Sequence, residues 1–174
     1  MKRSHSKYSS NSKIPLAGWI DRWSKGFLGS GWKKKYIAVD AEEINFYKDS
    51  SMKQKDSDSP LFLKHIGLVQ KESSVVKNET GAFDMIYMVP KTGEQIVFTL
   101  RPYDGKKMSS QDATMLVDKI RARFEKAIED QVKQKQLENA WTTMPEDQLN
   151  KMYTEVLKKQ AIPESAWPIA IQNS

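Results

Sequence analysis

Residues 18–23 read GWIDRW, residues 32–39 read WKKKYIAV, and residues 44–49 read INFYKD. Each run is short and rich in apolar and aromatic residues, with polar ones among them. That is the pattern of a strand, whose successive side chains point to opposite faces. Gly26, Gly29 and Gly31 lie between the first two runs, and Asp40-Ala41-Glu42 lies between the second and third. Turn residues at this spacing predict a three-stranded meander. Alternation lets Arg22 on the first strand share a face with Lys33 and Lys35 on the second. The glycine-rich loop, with Lys25 at its base, is expected to bend back over a ligand, and Tyr47 on the third strand to add a hydroxyl donor. Cations converging beneath a flexible loop form a cradle for phosphate.

Working outward, residues 49–60 (DSSMKQKDSDSP) read as a polar loop. Further strands are expected at 61–66 and 68–76, broken near Gly67. A hairpin is expected from 83–89 and 95–100 around Pro90-Lys91-Thr92-Gly93. Seven short strands at this spacing predict a sandwich or barrel.

At residue 110 the period changes. Ala113, Leu116, Val117, Ile120, Phe124, Ala127 and Ile128 fall at the three-and-four spacing of one helix face. Ser109 and Ser110 can cap its start. The stripe weakens through Val132, Leu137 and Trp141, which predicts a polar stalk. Thr143-Met144-Pro145-Glu146 reads as a capping box opening a second helix. Leu149, Met152, Tyr153, Val156 and Leu157 form its apolar stripe, and Pro163 is expected to end it.

The meander resembles the opening of the pleckstrin-homology (PH) family, which reads roughly Gly-aromatic-Leu-x-Lys, a loop, Trp-Lys-x-Arg-aromatic-x-Val, then a strand ending in Tyr-x-Asp. The amphipathic helix after the strands also resembles that family, over about residues 15–130. The resemblance implies a partly open seven-stranded barrel of two near-orthogonal sheets, plugged at one end by the helix. It further implies phosphoinositide headgroups as ligands, with Arg22, Lys33 and Lys35 in the positions that hold phosphate. Lys35 stands where the family has Arg, and Leu116 where it usually has Trp. The second helix and the Ile-Pro-Glu after it resemble the GTPase-binding region of Diaphanous-type formins. That resemblance implies a Rho-family small GTPase as partner of the Leu149, Met152, Tyr153, Val156 and Leu157 face, and a role in actin regulation.

Composition bounds these expectations. The net charge is +6 and there is no cysteine, so disulfides and thiolate metal sites are excluded. His5 and His65 are the only imidazoles, and no metal or other cofactor is expected. Residues 1–35 carry nine Lys and Arg against Asp21 alone, so positive charge is concentrated at this end. No apolar run is long enough to span a bilayer, and the first residues lack a secretory hydrophobic segment. The expected location is cytoplasmic, peripheral at a membrane or the cell cortex.

No nucleotide-, metal- or triad-type catalytic motif occurs, so no catalytic residue is assigned and an enzyme is not expected. The glycine-rich segment followed by Trp32-Lys33 misses the phosphate-loop pattern, because a strand rather than a helix follows it. Nucleic-acid binding is disfavoured because the RNA-binding sheet signature is missing. The expected organisation is a basic tail at 1–14, the mainly β domain at 15–130, a helical stalk at 131–142 and a helical segment at 143–174. The alternative reading is a protein-interaction or homodimerisation scaffold that binds no lipid.

Overall fold

The computed structural model of the chain describes residues 15–143 and 145–159. The basic tail at 1–14, Met144 of the expected capping box, the Trp141 side chain and the expected stop at Pro163 lie outside the described residues. The chain divides into two compact units, with the boundary between Asp130 and Gln131.

The first unit is one antiparallel sheet followed by a helix. Its strands are β1 (Leu16–Gly26), β2 (Gly29–Val39), β3 (Glu43–Tyr47), β4 (Leu61–Phe62), β5 (Ile66–Gln70), β6 (Phe83–Met88) and β7 (Gln95–Pro102). Their order in the sheet is β4-β3-β2-β1-β7-β6-β5. The two edge strands, β4 and β5, are consecutive in the chain and joined only by the 3-10 turn Leu63–His65. A seven-stranded sheet whose edges lie three residues apart must curl until those edges nearly meet. They do not pair, so the barrel stays open. The Phe62 amide spans the gap, donating to the Tyr87 hydroxyl at 3.2 Å.

Three expectations are corrected. The strand expected at 61–66 is two residues of β4, the 3-10 turn and the start of β5, because the chain has to cross between edges there. The strand expected at 68–76 stops at Gln70. Residues 73 and 74 instead fold over buried Asp84, which accepts from Ser73 Oγ at 2.6 Å, the Ser74 amide at 2.8 Å and Thr99 Oγ1 at 2.8 Å. The glycine-rich segment is not a loop bent back over a ligand. Gly26 pairs with Gly29, and only Phe27 and Leu28 form the turn. Gly29 has φ of 124°, a conformation that glycine adopts without strain. The tight hairpin therefore extends away from the cations instead of folding back over them.

The core follows the sheet's inner face. Ile20, Ile37, Val39, Ile44, Phe46, Phe83, Met85, Phe98 and Leu100 are buried there. Helix α1 (Ser110–Thr143) closes it with Ala113, Leu116, Val117, Ile120 and Phe124, all buried. Ser109 caps α1 as expected, its hydroxyl accepting from the Asp112 amide at 3.1 Å. A Cβ on Gly18 would stand 2.6 Å from Leu116 Cδ2, so a larger residue there would make this leucine shift.

In the second unit, the later part of α1 exposes Val132 and Leu137. Thr143 belongs to α1, and helix α2 (Glu146–Lys159) begins only after Pro145. Glu146 and Asp147 in its first turn and Lys158 and Lys159 in its last complement the helix dipole. No described residue of α2 is buried.

Candidate anion-binding hairpin

The register of β1 with β2 decides which cations meet. Arg22 pairs with Lys33 and Ile20 with Lys35, so these side chains share the inner face with Ile37 and the core. Asp21 pairs with Lys34 and Lys25 with Ser30, which places Lys25 and Lys34 on the outer face. Tyr36 pairs with Tyr47, so Tyr47 is also on the outer face. The expected cluster thus divides: Arg22, Lys33 and Lys35 are brought together, while Lys25 and Tyr47 stand on the opposite side of the sheet. Tyr47 is buried, and its hydroxyl does not join the inner cations.

Within the inner group the partners differ. Arg22 lies over the rings of Phe46 and Phe98, at 4.8 and 4.7 Å from their centroids. Its guanidinium donates to both oxygens of Asp58, with Nη1–Oδ1 at 3.2 Å, and reaches Asp56 at 3.5 Å. Lys35 Nζ donates to Asp56 Oδ1 at 2.8 Å. Lys33 is exposed and has no ion pair or hydrogen bond among the described residues. Both acids come from the polar segment after β3, whose sequence gave no sign that it would return to the cations.

The outer face is an aromatic and ionic lattice. Trp23 and Trp32 meet edge to face, with centroids 5.2 Å apart. Arg101 stacks over Trp32 at 4.2 Å and donates twice to buried Asp21 at 3.1 Å. Lys34 lies over Tyr103 at 4.6 Å and donates to the Asp104 carbonyl. Lys107 covers Trp19 at 4.1 Å. These contacts occupy Lys34, whereas Lys25 is exposed and has no ion pair or hydrogen bond among the described residues.

Sequence reasoning missed the hairpin tip. Phe27 and Leu28 are 103% and 98% exposed, the most exposed large apolar side chains among the described residues. The available signal was two adjacent apolar residues between Gly26 and Gly29, flanked by Lys25 and Lys33. On α2, Met152, Tyr153 and Val156 are each more than a third exposed, while Leu149 and Leu157 are partly covered. No described helix is long and apolar enough to cross a membrane, and the described residues contain no group of acids and histidines arranged to hold a metal.

Comparison with known proteins gives the family match. A family model described as "PH domain" matches residues 14–113. No curated protein matches the chain. Among solved structures, the chain is similar to the Slm1 PH domain in complex with inositol-4-phosphate. The identity is 18% and the TM-score 0.44, over 67% of this chain and 99% of that one. It is also similar to the PH domain of human oxysterol-binding protein-related protein 11, at 13% identity and TM-score 0.45, over 73% and 91% of the two chains. A third is the PH domain of human pleckstrin homology domain-containing protein family A member 5, at 20% identity and TM-score 0.39, over 66% and 88%.

Proposed function

The chain belongs to the PH domain family, and from that premise we propose that it is a peripheral membrane module that docks its β1–β2 hairpin on anionic, phosphoinositide-containing lipid. The observation that carries this reading is the composition of the hairpin end. Phe27 and Leu28 project fully exposed from the turn. Lys25 and Lys33 flank them on opposite faces of the same hairpin, neither engaged in an ion pair or hydrogen bond among the described residues. An apolar tip between cations suits a bilayer interface, where the tip enters the headgroup region and the ammonium groups stay among phosphates. Each basic residue near an anionic surface contributes about 1 kcal/mol. Fully burying each tip side chain contributes about 1.5–3 kcal/mol.

The test is co-sedimentation with phosphatidylcholine vesicles containing phosphatidylserine or a phosphoinositide. The chain should sediment with both kinds of anionic vesicle and not with phosphatidylcholine alone. Phe27→Ser with Leu28→Ser should weaken binding on the order of ten-fold or more, and Lys25→Glu with Lys33→Glu should abolish it. Binding unchanged in both variants rejects the reading.

A second reading concerns α2. Its exposed Met152, Tyr153 and Val156, with the formin-type pattern of the segment, favour a Rho-family small GTPase as partner, within an actin-regulating protein. Isolated short amphipathic helices are marginal in water, so such a stripe gains from a covering surface. Retention of GTP-loaded Rho-family proteins, lost in Tyr153→Asp, supports it. No retention, or retention independent of Tyr153, rejects it.

A further inference from the structure

The inner cations already have their anions. Arg22 and Lys35 carry two positive charges, and Asp56 and Asp58 supply two negative ones at ion-pair distance. The fork of Arg22 is filled by the two oxygens of Asp58, the geometry in which guanidinium binds carboxylate or phosphate most specifically. The acids are not on a swinging arm. The Asp56 amide donates to the Phe46 carbonyl at 2.8 Å, and its own carbonyl accepts from the Ser59 amide at 3.0 Å. Ser59 Oγ in turn accepts from the Phe46 amide at 2.9 Å. The β3 backbone therefore holds both carboxylates in place.

We infer that Asp56 and Asp58 are a built-in counter-anion that closes the inner cradle to soluble phosphate-bearing headgroups. This specificity device rests on the reading of the hairpin as a membrane-docking element and deepens it. A headgroup entering the cradle must displace two carboxylates that keep their charge and remain beside it, so like-charge repulsion opposes every phosphate that reaches Arg22. Lys33, across the hairpin from Arg22, is left as the inner-face cation open to lipid. The domain then holds membranes by the tip and its flanking charge, and binds a free headgroup poorly.

The experiment titrates inositol hexakisphosphate, a soluble polyphosphate with no membrane attached, into the full chain by calorimetry. The native chain should bind weakly. Asp56→Asn with Asp58→Asn should bind roughly ten-fold tighter or more, and adding Arg22→Gln should remove the gain. Glu42→Gln with Glu72→Gln makes the same change in net charge away from the cradle and should leave binding near native. Circular dichroism checks folding. Should the double variant unfold, Asp58→Asn alone, which keeps Asp56 bridging Arg22 and Lys35, should give a smaller gain of the same origin. A gain no larger than that of the Glu42/Glu72 control, or one that survives Arg22→Gln, overturns the inference. Native binding to anionic vesicles is scored separately: its loss would sink the membrane reading, while the calorimetric comparison would still decide the role of the two acids.

Discussion

Lys33 stands directly opposite Arg22 across the β1–β2 hairpin, and the two cations share a face without sharing a partner. Arg22 is bound by Asp56 and Asp58 over two core rings, whereas Lys33 reaches solvent. The same face thus carries a structural cation and an available one.

The contrast predicts opposite phenotypes for two neighbouring lysines. Lys33→Gln should weaken binding to anionic vesicles about five-fold, the effect of one cation near the surface, and leave the melting temperature unchanged. Lys35→Gln removes the 2.8 Å partner of Asp56, so it should lower the melting temperature and leave vesicle affinity close to native. Vesicle binding and thermal melts of the two variants check this. The reverse pattern would mean that Lys35 faces the lipid.

Asp84 predicts an acid limb in stability. Burial opposes its charge, but hydrogen bonds from Ser73, the Ser74 amide, Thr99 and the Ser74 hydroxyl outweigh burial and hold its carboxyl below the ordinary value of 3.8. A carboxyl with a lowered folded-state pKa contributes stability that is fully present above its unfolded value and is lost as pH falls through the folded one. Denaturation followed down through pH 4 and below should therefore show a loss that is shallower in Asp84→Asn. The variant should also be less stable at neutral pH by about 1–3 kcal/mol, because its amide nitrogen meets donors. Equal acid limbs in both proteins would contradict this account.

The helix plug makes a third prediction. Phe124 is fully buried, with its ring 6.3 Å from that of Phe83. Phe124→Ala should cost about 3–5 kcal/mol of unfolding free energy through lost transfer and the cavity left behind. Leu137→Ala, at a position 58% exposed on the same helix, should change stability by no more than about 0.5 kcal/mol. Urea denaturation of both measures the difference.

Particular residues show what the sequence could carry. Ile20, Ile37 and Phe46 each sit in a short apolar and aromatic run divided from the next by turn residues, so the meander was legible. Ala113, Leu116, Val117, Ile120 and Phe124 repeat at helical spacing, so the plug was legible as well. Partnership was not. Asp56 and Asp58 lie 34 and 36 residues from Arg22, and nothing local to a polar loop says that it returns to a cation so far away in the chain. Tyr47 was expected to lend its hydroxyl to the cations, but its face depends on cross-strand register with Tyr36, which a single strand does not encode. Phe27 and Leu28 were hidden by their glycines, which suggested a wide loop where the strands run on to a two-residue turn. The division at Leu63–His65 depends on the sheet's closure, a property of all seven strands together.

The absence of cysteine from the chain allows one spin label to be placed at the hairpin tip, through Leu28→Cys with Phe27 retained, and another at Glu42→Cys in the β2–β3 turn as reference. Accessibility to oxygen and to a water-soluble paramagnetic relaxant is then read with and without phosphoinositide-containing vesicles. The account predicts that on vesicles the label at position 28 becomes shielded from the aqueous relaxant and more accessible to oxygen, while the label at position 42 stays in water. A tip label that remains as water-accessible on vesicles as in solution, with the protein bound, would contradict docking through this hairpin.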